Sequence, residues 1–168
     1  MPFPPRVALP DDCVQIQVQY ALINRLQTDP DMRYDQQFKE AISTEDPQSA
    51  PSDFPLRMAV VLSEDYHDDT DINSYRTTYY IRFVVFIYAY DPRVATKPEL
   101  GEQARVRMSN ATRDLRKVLT NLVQPDEVRK NEDWDDRQHP DPTTTWHRTD
   151  KARWTETVIQ ITKTVKNF

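Results

Sequence analysis

Two segments of this chain are crowded with carboxylates, the groups that bind hard metal ions and exchange protons in active sites. The first segment reads Glu64-Asp65-Tyr66-His67-Asp68-Asp69-Thr70-Asp71. An EF-hand calcium loop needs a glycine at its sixth position, and this run contains none. We therefore interpret the run as a solvated loop or as an electrostatic partner for a basic surface, rather than as a metal site.

The second acidic segment surrounds a tryptophan, Trp134. Its titratable members are Glu132, Asp133, Asp135, Asp136, His139 and Asp141. Paired acids do general acid and base work when burial or crowding separates their pKa values. This segment is very polar and ends in two prolines, so we expect it to be exposed and not catalytic. Trp134 is either an anchor against the domain or a contact for a partner, and we favour the anchor.

The other groups that could do chemistry are isolated in the sequence. His67, His139 and His147 lie in separate segments, without the i, i+4 spacing of a helical zinc pair. Cys13 is the only cysteine, and its place at the start of an amphipathic helix predicts a small buried hydrophobe. We predict no catalytic residue, no metal and no cofactor. A metal-dependent hydrolase using the acidic clusters is the alternative from another class.

Composition restricts the function further. The 168 residues, 38% of them hydrophobic, are enough for one core, so we predict a single domain spanning 1–168. A net charge of -5 argues against a protein that grips nucleic acid. The single glycine excludes the glycine-rich loops that cradle phosphates. No apolar run approaches the roughly 18 residues of a membrane helix, and no signal peptide is visible, so we expect a soluble protein without a membrane partner.

The elements that must position these residues begin with one very long strand. The run from Tyr75 to Tyr90 would extend about 50 Å, whereas a domain of this length is only about 40 Å across. With the short strand 56–63 it predicts a hairpin, either with an ample loop or with arms that extend past the domain. We expect the end from Phe83 to Ala89 to lie in the core and the end from Tyr75 to Tyr80 to project towards a neighbouring subunit.

Two helices are predicted by apolar residues at steps of three and four. The first follows a cap at Asp11 or Asp12 and has one apolar face, with further apolar residues opposite it. We expect it to pack on the sheet and also on either a neighbouring subunit or the loops of its own chain. Its two sets are Val14, Val18, Ala21, Leu22 and Leu26, and Ile16, Tyr20 and Ile23. The second covers about six turns after a capping box at Thr96 and Glu99. Its apolar positions are Leu100, Ala104, Met108, Ala111, Leu115, Val118, Leu119 and Leu122, and its basic ones are Arg105, Arg107, Arg113, Arg116 and Lys117.

The remaining segments predict strands and loops. Strand candidates are a short one at 33–38 and two longer ones, Thr143 to Thr149 and Arg153 to Val165. Acidic loops are expected at 43–55, 64–74 and 126–142. The order of elements predicts an α+β fold. Its sheet is mostly antiparallel, or mixed, with a long extended β-hairpin, and two main helices pack on one face.

This order of elements resembles the tail terminator, or tail completion, proteins of tailed bacteriophages. The similar segments are VQIQVQYALINRL, FPLRMAVVLSED, RTTYYIRFVVFIYAYD, a helix of about 25 residues and WTETVIQITKTV, which together cover 12–165. The resemblance implies a non-enzymatic virion protein of the neck, assembled in the host cytoplasm as a hexameric ring that caps the tail tube. Another neck ring protein, a head-completion or stopper subunit, is the nearest alternative.

The resemblance also implies partners. These are copies of the chain itself, the tail tube protein, the head-tail connector or stopper, and a sheath or collar protein where the phage has one. DNA would only pass through the ring. From the projecting strand end and the basic helix, the residues expected at a subunit or partner interface are Tyr75, Thr77, Tyr79, Tyr80, Asp68, Asp69, Arg105, Arg113, Arg116 and Trp134.

Overall fold

The described part of the protein contains two helices and five strands. The computed structural model describes residues 13–32, 42–44, 56–63, 67–90, 98–123, 133–135, 140–149 and 152–167. In chain order the elements are α1 (Val14–Thr28), β1 (Leu56–Leu62), β2 (His67–Asp71), β3 (Arg76–Tyr90), α2 (Pro98–Val123), β4 (Thr143–Arg148) and β5 (Ala152–Lys166). This confirms the α+β class, with a mostly antiparallel sheet packed by two helices.

Two long strands form the centre of the sheet. β3 and β5 pair antiparallel along their whole lengths, from Arg76 opposite Lys166 to Tyr90 opposite Ala152. β1 and β2 share the other side of β3, where β1 pairs with 83–89 and β2 with 76–80. β4 pairs with 153–158 of β5. All these pairings are antiparallel, and one isolated parallel bridge joins Ser43 to Ala59.

The core lies between one face of the sheet and the two helices. Successive side chains of a strand point to opposite faces, and the odd-numbered residues of β3 from Ile81 to Ala89 are all buried in one apolar cluster. Met58 and Val60 of β1 and Ile159 and Ile161 of β5 extend the same layer. Each fully buried Val, Ile, Phe or Met side chain contributes about 1.5–3 kcal/mol to the free energy of folding. This periodicity fixes the register, since a shift of one residue would expose the whole layer.

Helix α2 matches its predicted apolar pattern from Met108 to Leu122. Its buried side chains are Met108, Ala111, Thr112, Leu115, Val118, Leu119 and Leu122. The Thr112 hydroxyl lies 3.0 Å from that of Thr155 on β5, so a buried polar pair joins the helix to the sheet. The ammonium of Lys117 lies 3.4 Å from the carboxylate of Asp31, just beyond the end of α1.

Helix α1 departs from its predicted pattern in two ways. Ile23, expected opposite the core face, is buried beside Leu22, and Gln19 is buried because its side-chain amide donates to the carbonyl of Val60 at 2.8 Å. The buried face is therefore broader than its apolar residues indicate. Cys13 is exposed at the N-cap and gives no side-chain cap, which corrects the prediction of a buried cysteine.

The hairpin also differs from its predicted form. The segment 64–74 was expected to be a loop, but its residues 67–71 form β2 and continue the pairing along β3. Of the two predicted hairpins, the one with extended arms is correct. The long strand begins at Arg76 rather than Tyr75, because Tyr75 lies in the turn with a φ of 53°. The other two strand predictions are confirmed as β4 and β5.

Some predictions fall on residues outside the described ranges. These are the caps at Asp11, Asp12 and Thr96, the strand at 33–38, most of the loop at 43–55, and residues 124–132 and 136–139. Neither of the two helices in the described ranges combines the length and apolarity that a membrane crossing requires.

Candidate interaction surfaces

The outer end of the sheet forms a three-stranded extension. We call β2, residues 76–80 of β3 and residues 162–166 of β5 the arm, and residues 72–75, which join β2 to β3, its tip. All five residues of β2 are exposed, so this strand is uncovered on both of its faces. The arm therefore differs from the inner parts of β1, β3 and β5, where one face is buried under the helices.

Polar hydrogen bonds hold the arm together. The hydroxyl of Thr77 lies 3.1 Å from that of Thr70 and accepts from the side-chain amide of Asn167 at 2.7 Å. Across the next pair, the hydroxyls of Thr78 and Thr164 lie 3.2 Å apart. Thr77 is buried by these neighbours, so its predicted place at an interface is not supported by its exposure. These hydrogen bonds join the three strands of the arm beyond the apolar core.

The tip is a turn closed by Asp71. Its carboxylate accepts from the Ser74 hydroxyl at 2.7 Å and from the Asn73 backbone N–H at 3.0 Å. These bonds, that from Ser74 above all, hold the pKa of Asp71 below its ordinary value. A lowered pKa means that the charged form stabilises the turn, and that this contribution is lost as the pH falls through the lowered pKa.

Apolar and acidic side chains stand exposed around the tip. Ile72 is 80% exposed and Tyr75 is 61% exposed. Asp68 and Asp69 of β2 are exposed as well, and within the described part of the chain no ion pair involves either of them. Large apolar side chains together on a solvated projection are typical of a contact surface.

The two other arm tyrosines are less available. Tyr79 is half-buried and packs against the core, and Tyr80 is half-buried and stacks on the ring of His67 with centroids 4.6 Å apart. They support the base of the arm, whereas Tyr75 lies at its tip.

Trp134 links the arm to the core. It is only 3% exposed, and the guanidinium of Arg25 lies 5.4 Å from its ring centroid. The next residue, Asp135, donates its backbone N–H to the Thr162 carbonyl, and its carboxylate accepts from both the hydroxyl and the backbone N–H of Thr164, at 2.7 and 2.9 Å. This is the arrangement of an anchor. The sequence signal that could have distinguished the two roles of Trp134 was the neighbouring Asp135. Its carboxylate oxygens can accept hydrogen bonds from an exposed strand edge, and this holds Trp134 against the domain.

The outward side of α2 is basic, as predicted. Arg105, Arg113 and Arg116 are all exposed. Arg113 lies 3.4 Å from Asp114, while Arg116 has no ion pair among the described residues. The charge that remains is available to an acidic partner.

A cleft lies between this helix and the edge strand β4. It has a volume of about 480 Å³ and is lined by polar and basic residues of α2 between Ser109 and Asn121 and by Trp146 of β4. Trp146 is 51% exposed, which is unusual for the largest apolar side chain in a protein. We call this the α2–β4 cleft. Sequence reasoning missed it because the position of β4 beside α2 depends on the sheet order.

The face of the sheet opposite the helices carries a row of stacked rings. The row crosses four neighbouring strands, with Arg57 on β1, Tyr88 on β3, Trp154 on β5 and His147 on β4. The guanidinium of Arg57 lies 5.3 Å from the Tyr88 centroid, and the rings of His147 and Trp154 stack at 5.1 Å. Glu156 ends the row, since it accepts from Trp154 Nε1 at 3.3 Å and lies 3.3 Å from His147 Nε2. The row gives His147 of the edge strand β4 and Trp154 of the interior strand β5 packing partners on this face.

The residues singled out for metal or acid–base chemistry do not come together in the described ranges. There, no three His, Cys, Asp or Glu side chains are close enough to hold a metal ion. His67 lies on β2 and His147 on β4, at opposite edges of the sheet. The remaining candidates Glu132, Asp136 and His139 lie outside the described residues. No protein-family model matches this chain, and no curated protein matches its sequence.

Proposed function

We propose that this chain is a structural virion protein of a tailed bacteriophage, of the tail terminator kind. In this role it forms a ring that caps the tail tube, ends tube polymerisation and joins the tail to the head connector. The observation that carries the proposal is the arm, an ordered three-stranded extension whose edge strand is exposed on both faces and whose tip presents Ile72 and Tyr75.

In an isolated protein, the arm would be ordered at a cost in conformational entropy that little buried apolar area offsets. Ordering each residue costs about 1–2 kcal/mol of backbone entropy, which buried apolar area usually offsets. At β2 that area is absent, and an exposed edge strand also offers unpaired backbone groups to other chains. A subunit whose edge and tip are covered by a neighbour gains what the isolated chain lacks. Assembly is therefore a better explanation of the arm than enzymatic catalysis.

The same role accounts for the distribution of charge. A ring through which DNA passes benefits from a surface that does not hold phosphates, and the chain has a net charge of -5. In this proposal the partners are further copies of the chain in a hexameric ring, the tail tube protein and the head-tail connector. A sheath or collar protein is added where the phage has one. The nearest rival is a stopper or head-completion ring on the portal side.

The direct test is to remove the protein from the phage that encodes it and to image the lysate by negative stain. A tail terminator predicts overlong tails without heads, because tube growth is no longer stopped. Tails of normal length that fail to join heads would assign the chain to the stopper role instead. Complete, infectious particles in the absence of the protein would contradict both roles.

A further inference from the structure

The acidic strand β2 together with the tip of the arm is complementary to the α2–β4 cleft, and we propose that β2 and the tip of one copy dock into the cleft of the next copy. This inference rests on the proposed self-assembly of the chain, and it names the two surfaces that meet. The occupant of the cleft is thus a second copy of this chain, by way of residues 68–75.

Charge complementarity is the first step. β2 and the tip carry the exposed acids Asp68, Asp69 and Asp71, while the cleft is lined by Arg113, Arg116 and Lys117. Within the molecule, Arg113 lies 3.4 Å from Asp114, and Lys117 lies 3.4 Å from Asp31. The basic side chain of each pair is largely exposed, and ion pairs of exposed side chains contribute little to stability. An arriving acidic strand can therefore compete for these cations, and it also meets Arg116, which has no ion pair among the described residues.

Apolar complementarity is the second step. Trp146 lines the β4 side of the cleft. The exposed apolar residues of the tip are Ile72 and Tyr75. Tryptophan, tyrosine and arginine are the residue types enriched where interfaces carry most of their binding energy. The cleft is open to solvent rather than enclosed, and its volume of about 480 Å³ leaves room for side chains of the tip.

The third step is that one copy cannot make this contact with itself. Arg76, at the tip end of β3, stands opposite Lys166, whereas Trp146 stands opposite Thr155, eleven residues further along β5. Eleven residues of strand span about 37 Å, and the two edges of the sheet lie about 14 Å apart. The tip and the cleft thus occupy diagonally opposite corners of the sheet.

Two different surfaces at opposite corners give a head-to-tail contact. A single such contact leaves one free tip and one free cleft in each pair of copies, so further copies can add until the chain of subunits closes into a ring or grows as a filament. A two-fold dimer is the other way to close, with the tip of each copy in the cleft of the other. The proposed ring role selects the closed ring, and the mass of the assembly in solution separates a ring from a two-fold dimer.

The test uses charge reversal on the purified full chain, measured by sedimentation velocity and mass photometry. We expect D68K/D69K and R113E/R116E each to weaken assembly by about a hundredfold or more, since like charges then face each other across the interface. The combined four-residue variant restores opposite charges and should assemble again. Arg107→Glu is the matched control, because Arg107 is exposed on the same helix but does not line the cleft. Circular dichroism and thermal unfolding establish that each variant is folded.

The outcomes separate this inference from the proposed function. Loss of assembly in both double variants with recovery in the combined one supports docking of the tip in the cleft. Rings that survive both double variants overturn the docking while leaving the ring role intact, and edge-to-edge pairing of β2 with β4 would then explain them. A wild-type chain that stays monomeric at high concentration, alone and with tail tubes, overturns the ring role itself.

Discussion

The inner and outer halves of the β3–β5 pair share one continuous ladder of backbone hydrogen bonds but are stabilised by different side chains. In the inner half, Phe83 and Val85 are fully buried under the helices beside Ile159. In the outer half, Thr78 and Thr164 bond to each other across the strands, and Asp135 accepts from Thr164. The inner half therefore holds the domain together, and the outer half holds a surface in position outside it.

This difference shows how one strand can serve two purposes without a break. Apolar contacts are not directional and depend on total burial, whereas hydrogen bonds between side chains fix a geometry without needing a core. The outer half can therefore extend past the helices and remain ordered. Substitutions in the two halves should separate folding from assembly.

The largest effect is expected for Phe83→Asp in the inner half. An unpaired carboxylate buried in the core costs several kcal/mol, which is enough to abolish soluble folding of a domain of ordinary stability. Val85→Asp should do the same. Soluble yield and circular dichroism provide the measurement. Arg82→Asp is the control, because Arg82 lies in the same strand but is exposed, and it should change the free energy of unfolding by no more than about 1 kcal/mol.

The next effect is expected for Trp134→Ala, at the junction of the two halves. Truncating a buried tryptophan typically costs about 3–5 kcal/mol, since it leaves a cavity, and here it also leaves Arg25 without its ring contact. Urea unfolding measures the loss. Trp146→Ala is the control, because its side chain is half exposed and should cost far less. Equal losses at both positions would mean that Trp134 is not an anchor.

A smaller effect is expected for Thr112→Val. It leaves the buried hydroxyl of Thr155 without its partner, at a cost of about 1–3 kcal/mol, and the double variant T112V/T155V should recover most of this loss. The comparison is Thr78→Val in the outer half, where the half-buried partner Thr164 can turn to water or Asp135. A double-mutant cycle on each pair tests this, and a larger coupling in the arm would contradict the account.

The smallest effect on stability is expected for Asp68→Asn and Asp69→Asn in the arm. Both side chains are exposed on β2, so each substitution should change the free energy of unfolding by less than about 0.5 kcal/mol. Thermal unfolding measures the change. A loss of the fold would show that the acidic strand is structural after all.

The inner half could be predicted from the sequence, because alternating apolar residues such as Phe83 and Val85 can be read along a single strand. The same holds for α2, whose apolar positions recur from Met108 to Leu122. The partners of the outer half could not be read this way. That Thr78 meets Thr164, and that Trp146 stands beside α2, depends on the register and order of strands distant in the chain.

Polarity was also a misleading guide in two places. The acidic run at 67–71 reads as a loop, yet it forms β2 because β3 offers it a paired edge and water covers its side chains. Gln19 reads as a surface residue, yet it is buried because its amide finds the Val60 carbonyl. In both cases hydrogen bonds to a neighbouring strand in space, β3 for the acidic run and β1 for Gln19, outweighed the local preference.

The central claim is that the arm serves assembly, and mass photometry of the purified full chain, alone and with tail tubes, tests it most directly. The account predicts a discrete closed oligomer, or caps on the ends of tubes, and a return to monomers in D68K/D69K although that variant remains folded. A wild-type chain that is monomeric at every concentration, and that leaves tail tubes uncapped, would contradict it.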